Sequence, residues 1–211
     1  MLRLENILNA INKSIPDYQL SARAKIFDEL ANDQPAWHDA IDYLRVSKKE
    51  YSQLKEGRTE QLLAHARYAE SLTFPRINNF ELEEQLNYSR KIYESEKSVK
   101  DLYNLALHAE SAAHGFGSDT HQIQFLEYAR KIFLKLDKKE DLDRLAKKAV
   151  RQSTTFGNPV SESRFLRFAI TTFRGIGRSR PAEILKVRAD AVDGFLAYKE
   201  LIGEEPQYTR R

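Results

Sequence analysis

The sequence contains no cysteine, which excludes disulfide bonds, thiolate-bound zinc, iron–sulfur clusters and a cysteine nucleophile. Glycine and proline are scarce, with 8 and 6 residues in 211, whereas all-β sandwiches and barrels need many turn residues. No apolar run approaches the roughly 18 residues of a membrane-spanning helix, and the N-terminus lacks the pattern of a signal peptide. These absences predict a helical protein that is soluble, cytoplasmic and without a membrane partner.

Catalytic and cofactor motifs are also missing. There is no P-loop, dinucleotide fingerprint, Gly-x-Ser-x-Gly elbow or zincin signature. Glu110 and His114 are one helical turn apart, and Asp119 and His121 follow, but no second ligand pair stands at a fixed helical spacing. A polar loop is therefore the favoured interpretation of this segment over a metal site. We predict that the chain is not an enzyme and holds no cofactor and no metal.

The composition supports a folded core and a charged surface. Hydrophobic residues make up 41% and charged residues 31%, so the chain is expected to bury a core as one compact domain or one repeat array. The residues 144–211 contain 14 Lys and Arg against 7 Asp and Glu, a net charge of +7. The rest of the chain has 20 basic against 24 acidic residues, a net charge of −4. A basic C-terminal third suggests an acidic partner, and a solvated helical surface is the alternative.

The strongest pattern is an internal repeat with a fixed offset of 40 residues. Several columns of similar residues share this offset. They are Leu62, Leu102 and Leu142; Ala66, Ala106 and Ala146; Ala69, Ala109, Ala149 and Ala189; Leu86, Leu126 and Leu166; Tyr88, Tyr128 and Phe168; Ser89, Ala129 and Ala169; and Tyr93, Phe133 and Phe173. Alanine lets two helices approach closely, and the aromatic column fills the wider gap between neighbouring hairpins.

Each repeat is predicted to hold two helices, because its apolar residues follow the i, i+3, i+4 spacing of two helical faces. In the second repeat these faces are Leu102, Leu105, Ala106, Ala109 and Ala113, and then Phe125, Leu126, Ala129, Ile132 and Phe133. Asp101 and Asp141 are expected to precede equivalent first helices and to cap their free N–H groups. Helix-breaking residues lie between the two helices of each repeat, at Pro75, Gly115, Gly117, Gly157 and Pro159.

These patterns predict an all-α fold, an α-solenoid of stacked antiparallel helix hairpins, because one hairpin cannot bury both of its faces. We assign the repeats to residues 61–100, 101–140 and 141–180, a capping helix to 181–203 with Gly203 as its stop, and a polar tail to 204–211. The capping helix has its apolar face at Leu185, Ala189, Val192 and Leu196. Residues 1–60 form a divergent helical repeat and cap, with apolar faces at Leu4, Ile7, Leu8 and Ile11, at Leu20, Ala24, Phe27 and Leu30, and at Trp37, Ile41, Leu44 and Tyr51.

The small-x-x-x-aromatic pattern of the second helices resembles the tetratricopeptide (TPR) family. The residues are Ser89 to Tyr93, Ala129 to Phe133 and Ala169 to Phe173, preceded on the first helices by Leu105-Ala106 and Leu145-Ala146. The period of 40 is longer than the TPR period of about 34, and the family's tryptophan is missing. The resemblance covers about residues 61–200 and implies a protein that binds peptides or proteins on a concave surface lined by the first helices.

If the first helices line that surface, their polar columns predict the binding residues. The column Tyr68, His108, Lys148, Arg188 becomes basic along the array, which suits an acidic segment. The leading hypothesis is a non-catalytic scaffold or adaptor that binds an acidic or extended segment of another protein, with ordinary helix solubility as the alternative explanation of these columns. The predicted partner-binding residues are Arg67, Tyr68, Asn104, His108, Arg144, Lys147, Lys148 and Arg188.

A second basic cluster supports the alternative hypothesis, a nucleic-acid-binding repeat protein. The predicted phosphate-binding residues are Arg164, Arg167, Arg174, Arg178 and Arg180. The last three surround the turn Gly175-Ile176-Gly177. The segment from Gly175 to Leu185 resembles the hairpin of a helix-hairpin-helix DNA-binding motif, although Pro181 replaces the small residue of that motif. The repeat register places an ordinary turn between hairpins at the same position. A third possibility is self-assembly through an exposed solenoid end, and the oligomeric state is open.

Overall fold

The computed structural model describes residues 16–74, 77–115 and 117–203. Over these residues the chain forms nine α-helices and one short 3-10 helix and no strand, which confirms the all-α fold class. The helices are α1 (Asp17–Asn32), α2 (Trp37–Ser52), α3 (Arg58–Ser71), α4 (Asn79–Ser95), α5 (Val99–Ala112), α6 (Asp119–Lys135), α7 (Lys139–Gln152), α8 (Pro159–Gly175) and α9 (Ser179–Leu201). None of these helices combines the length and the apolar character needed to cross a membrane. By its internal contacts the chain divides into two units, Met1–Asp101 and Leu102–Arg211.

The 40-residue offset is present in the helix boundaries. The second helices of the repeats begin at Asn79, Asp119 and Pro159, and they end at Ser95, Lys135 and Gly175. The first helices that follow begin at Val99, Lys139 and Ser179. The backbone therefore repeats with the same period as the side-chain columns.

The turns that follow α4, α6 and α8 share one backbone geometry. The φ angle is positive at the middle residue of each turn, 56° at Lys97, 51° at Asp137 and 78° at Gly177. The next N–H donates to the carbonyl of the aromatic-column residue at an N···O distance of 2.9 Å in all three turns, in the pairs Ser98–Tyr93, Lys138–Phe133 and Arg178–Phe173. This is the Schellman arrangement, which ends a helix by placing one residue in the left-handed region. The predicted helix stop at Gly177 is confirmed.

The helix starts differ in how their free N–H groups are bonded. Asn78 caps α4 with a reciprocal contact to Glu81, and Asn158 caps α8, in which Pro159 is the first residue. Asp101 and Asp141 lie inside the first turns of α5 and α7, so the prediction that they precede these helices is wrong. A carboxylate in the first turn still meets the positive end of the helix dipole.

The core of the second unit follows the predicted faces. All ten apolar residues predicted to face inward from α5, the short 3-10 helix and α6 are buried. Alanines at positions 106, 109, 146 and 149 are completely buried, so the helices approach one another closely along this column. α7 packs on both α6 and α8, and α8 packs on α9.

The first unit is built around Trp37. Its indole ring makes edge contacts with Phe74 and Tyr88, and its Nε1 donates to Glu84 at 3.1 Å. Ile41, Leu44 and Tyr51 are buried as predicted. On α1 the buried face is Leu20, Ala24, Asp28 and Ala31, and Leu30 is 38% exposed, so the prediction that Leu30 faces the core is wrong.

The first unit also belongs to the repeat, with an offset of 42 residues. Leu20 and Ala24 are buried like Leu62 and Ala66, and Ser47 and Tyr51 are buried like Ser89 and Tyr93. The predicted N-terminal face at Leu4, Ile7, Leu8 and Ile11 lies outside the described residues, as do Pro75 and the tail 204–211. At the other end, Ala189 is buried and Leu185, Val192 and Leu196 are partly buried, and Gly203 has a φ of 71° beyond α9.

Candidate groove between α7 and α9

The predicted partner-binding residues lie on α3, α5, α7 and α9. In the first unit, Arg67 donates to both carboxylate oxygens of Asp101, at 2.7 and 2.8 Å. Hydrogen bonding from Arg67 lowers the pKa of Asp101, against a smaller opposing effect of burial. The Tyr68 hydroxyl donates to the Asp28 carbonyl at 2.9 Å. Burial, followed by the charge of Asp28, raises the pKa of Tyr68. Both side chains are thus engaged within their own unit.

In the second unit, two of the predicted cations converge on Glu110. Arg144 donates to this carboxylate at 2.7 Å, and Lys148 lies 3.3 Å from it while also donating to the Glu110 carbonyl at 3.0 Å. Burial raises the pKa of Glu110, but hydrogen bonding from Arg144 and the charge of Lys148 outweigh burial, and the net pKa is lowered. Burial lowers the pKa of Lys148. Arg144 also bonds Asp141 in its own helix. This cluster joins α7 to α5.

The remaining predicted residues on α7 and α9 are also charged side chains near carboxylates. Lys147 lies 2.7 Å from Asp143, and Arg188 donates to Glu162 of α8 at 2.8 Å. On α5, Asn104 is exposed and His108 is partly buried. A ligand at these basic positions would compete with internal carboxylates.

Four of the five arginines predicted to bind phosphate contact a carboxylate group. Arg164 contacts Asp119 at 3.1 Å, Arg174 contacts Glu183 at 2.8 Å and Arg178 contacts Asp143 at 2.8 Å, while Arg167 binds Asp193. Arg180 is exposed and makes no ion pair with the part of the chain that is described. The Gly175–Gly177 turn has the geometry of the turns at Lys97 and Asp137, as the repeat register predicted.

A groove of about 420 Å³ lies between α7 and α9, with Phe173 of α8 in its wall. Its lining residues are Lys147, Val150, Arg151, Phe173, Pro181, Ile184 and Leu185. Lys147 was predicted as a binding residue, and Ile184 stands in the same column as Arg144, but Val150, Arg151, Pro181 and Leu185 were missed. The sequence signal for the groove is the change from Arg144 to the apolar Ile184 one period later.

A buried polar network in the first unit was also missed. The imidazole of His65 lies 2.8 Å from the Asp28 carboxylate through Nδ1 and 2.7 Å from the Tyr88 hydroxyl through Nε2. The Tyr51 hydroxyl donates to Asp28 at 3.2 Å, and burial, followed by the charge of Asp28, raises the pKa values of Tyr51 and Tyr88. Because the His65 side chain has no exposed surface, this network joins α1, α2, α3 and α4 and is closed to a substrate.

No cluster of three or more potential metal-ligating side chains is present among residues 16–74, 77–115 and 117–203. Glu110, which the sequence placed near His114, accepts from Arg144 and Lys148 instead. Burial, followed by the charge of Lys148, lowers the pKa of His114. Comparison with known proteins gave no matching family model, no matching curated protein and no matching solved structure.

Proposed function

We propose that the chain is a non-catalytic scaffold or adaptor, a TPR-like α-solenoid that binds an acidic or extended segment of another protein. The observation that carries this proposal is the groove between α7 and α9, which combines an apolar lining with cations at its edge. Its volume of about 420 Å³ falls within the range of about 300–1,000 Å³ typical of ligand pockets. The groove is therefore large enough to take bulky side chains of a bound segment.

The lining defines the chemistry of the segment. Val150, Ile184 and Leu185 offer apolar surface to a leucine, isoleucine or phenylalanine side chain. Arg151 is exposed and forms no ion pair with residues 16–74, 77–115 or 117–203, so its guanidinium can bind a carboxylate of the ligand. Lys147 shares the carboxylate of Asp143 with Arg178, and it adds positive charge near the same edge. The favoured ligand has an acidic residue close to a large apolar one.

Binding of nucleic acid has weaker support. Four of the five candidate arginines already contact carboxylates, so phosphate groups would have to displace these partners. Arg180 and the net charge of +7 over residues 144–211 are the observations in favour of it. Salt-sensitive binding of DNA or RNA that is lost in Arg180→Glu would replace the protein-binding proposal with this one.

The test is a peptide-display selection on the immobilised full chain, followed by fluorescence polarisation of the selected peptides. We expect selected peptides to combine Asp or Glu with Leu, Ile or Phe. Arg151→Glu and Ile184→Asp should each weaken their binding at least about tenfold, since each removes one contact of the order of 1.4 kcal/mol or more. Ser111→Glu is the matched control, because Ser111 is exposed on α5, 40 residues before Arg151. Peptides without acidic enrichment, or equal loss in the control, would contradict the proposal.

A further inference from the structure

α9 carries an exposed apolar surface along its outer side, which we call the α9 stripe. Its residues are Ile184, Val187, Ala191, Phe195 and Tyr198 of α9, together with Ile202, which directly follows the helix. The spacings of three and four residues place them on one helical face, and the stripe is about 27 Å long at 1.5 Å per residue. Val187 is 73% exposed and Tyr198 is 60% exposed. The buried residues Ala182 and Ala189 lie on another face, so packing among the described residues does not account for the stripe.

The repeat does not account for the stripe either. The residues one period before Ile184, Val187 and Ala191 are Arg144, Lys147 and Arg151. Three successive positions on this face are thus cationic on α7 and apolar on α9. Such a reversal replaces a soluble surface with one that gains free energy when it is covered.

Gly194 lies beside the stripe in the interior of α9. An added Cβ at this position would have no neighbour within 4 Å, so no contact with residues 16–74, 77–115 or 117–203 requires a glycine. Glycine destabilises a helix interior relative to alanine. Together with Ala191, it leaves a shallow depression in the stripe between Val187 and Phe195.

We propose that the α9 stripe binds the α9 stripe of a second copy of this chain, antiparallel and about a two-fold axis near Gly194. In one register, Ile184 faces Ile202 of the second copy and Ala191 faces its Phe195. The ring of that Phe195 enters the hole between Val187, Asp190, Ala191 and Gly194, as a knob enters a hole between packed helices. The same contacts form twice, which is the property of a two-fold interface.

The charge of α9 favours a second copy over a highly charged partner. Arg188 is bonded to Glu162, and Glu183 contacts Arg174. Over its whole length α9 has four basic and four acidic residues, so it offers no excess of one sign to a charged ligand. The surface covered on each copy is on the order of 500 Å², below the roughly 800 Å² of a standard stable interface. We therefore expect a weak dimer that dissociates on dilution.

The stripe shares Ile184 with the groove. The inference does not rest on the proposed function, because Phe195 and Tyr198, which the experiment changes, are not among the lining residues of the groove. The experiment is sedimentation velocity on the full chain over a wide concentration series. We expect a monomer–dimer equilibrium in the wild type and at least tenfold weaker association in the double variant Phe195→Asp, Tyr198→Asp. Ile26→Asp is the matched control, since Ile26 is an exposed apolar residue of α1, and it should associate like the wild type.

Gly194→Leu gives a second test, in which a loss of association can be distinguished from misfolding by the thermal midpoint. Leucine is a far better helix former than glycine, so the thermal midpoint of the monomer should rise while association is lost. Because the chain has no cysteine, mixing Ile184→Cys with Ile202→Cys under oxidising conditions should cross-link the two variants to each other. A wild type that is monomeric at every concentration, unchanged association in Gly194→Leu, or loss in Ile26→Asp would overturn the proposal.

Discussion

The turns after α4 and α8 hold a lysine and a glycine in the same left-handed backbone conformation. Substitutions at these two positions should therefore change the free energy of unfolding in opposite directions. Lys97 and Gly177 occupy equivalent positions, with φ angles of 56° and 78°. A left-handed conformation costs an L-residue about 1–2 kcal/mol. Glycine has no such cost, but it lowers the stability of the protein by about 0.4–1 kcal/mol because it gives the unfolded chain more conformational freedom. Lys97→Gly should therefore stabilise the protein by about 0.5–1 kcal/mol, and Gly177→Ala should destabilise it by a similar amount.

The magnitude for Gly177 is set by the backbone alone, because a Cβ there would meet no atom within 4 Å. The measurement is urea unfolding of the full chain, with the change in free energy taken at constant m-value. Gly115→Ala is the control, since Gly115 has open space around its Cβ position and no positive φ, so alanine should be neutral or stabilising there. A destabilising Lys97→Gly or a neutral Gly177→Ala would refute the left-handed geometry of these turns.

Three further changes test the charged and packed interior. Glu110→Gln should lower the free energy of unfolding by about 1–2 kcal/mol. This value is smaller than that of a fully buried ion pair, because Arg144 is half exposed and solvent screens its charge. Since the pKa of Glu110 is lowered from 4.5 in the folded chain, this difference should be full above pH 4.5 and shrink as the pH falls below it, as urea unfolding over a pH series would show. Tyr88→Phe should cost about 1–3 kcal/mol, because the hydroxyl bonds both His65 and a backbone carbonyl, and an unchanged urea midpoint would contradict this. Ala146→Leu should lower the thermal midpoint by overpacking a completely buried position, at a cost of about 1–3 kcal/mol, and a neutral result would contradict the close helix contact.

Positive charge in the sequence proved a poor guide to an accessible binding surface. Arg144 and Lys148 are bound to Glu110, and Arg188 is bound to Glu162. These cations hold adjacent helices together, although the sequence suggested a surface for an acidic ligand. The feature that distinguishes the groove is an apolar residue, Ile184, in a column that holds Arg144 one period earlier.

Much of the fold was predictable because its determinants are local or periodic. The buried faces of α5 and α6 follow the 3.6-residue period, and Gly177 marks a helix end because few other residues adopt a positive φ easily. The first unit was harder to predict from the sequence, because its repeat offset is 42 residues and not 40. In addition, Asp28 occupies a buried position of α1 that an apolar pattern does not reveal. His65 and Tyr51 make that position possible by hydrogen bonding to the Asp28 carboxylate.

The sequence by itself determined where the helices lie and with what period they repeat, because helix formation depends on residues three to four positions apart and on the turn residue that stops each helix. Only the tertiary structure decided which charged groups are paired. The partner of Arg67 is Asp101, and the partner of Arg144 is Glu110, in each case 34 residues away. Folding must bring different helices together before these groups meet. Charge pairing and groove shape therefore depend on how the hairpins pack, which a column-by-column comparison of the sequence does not contain.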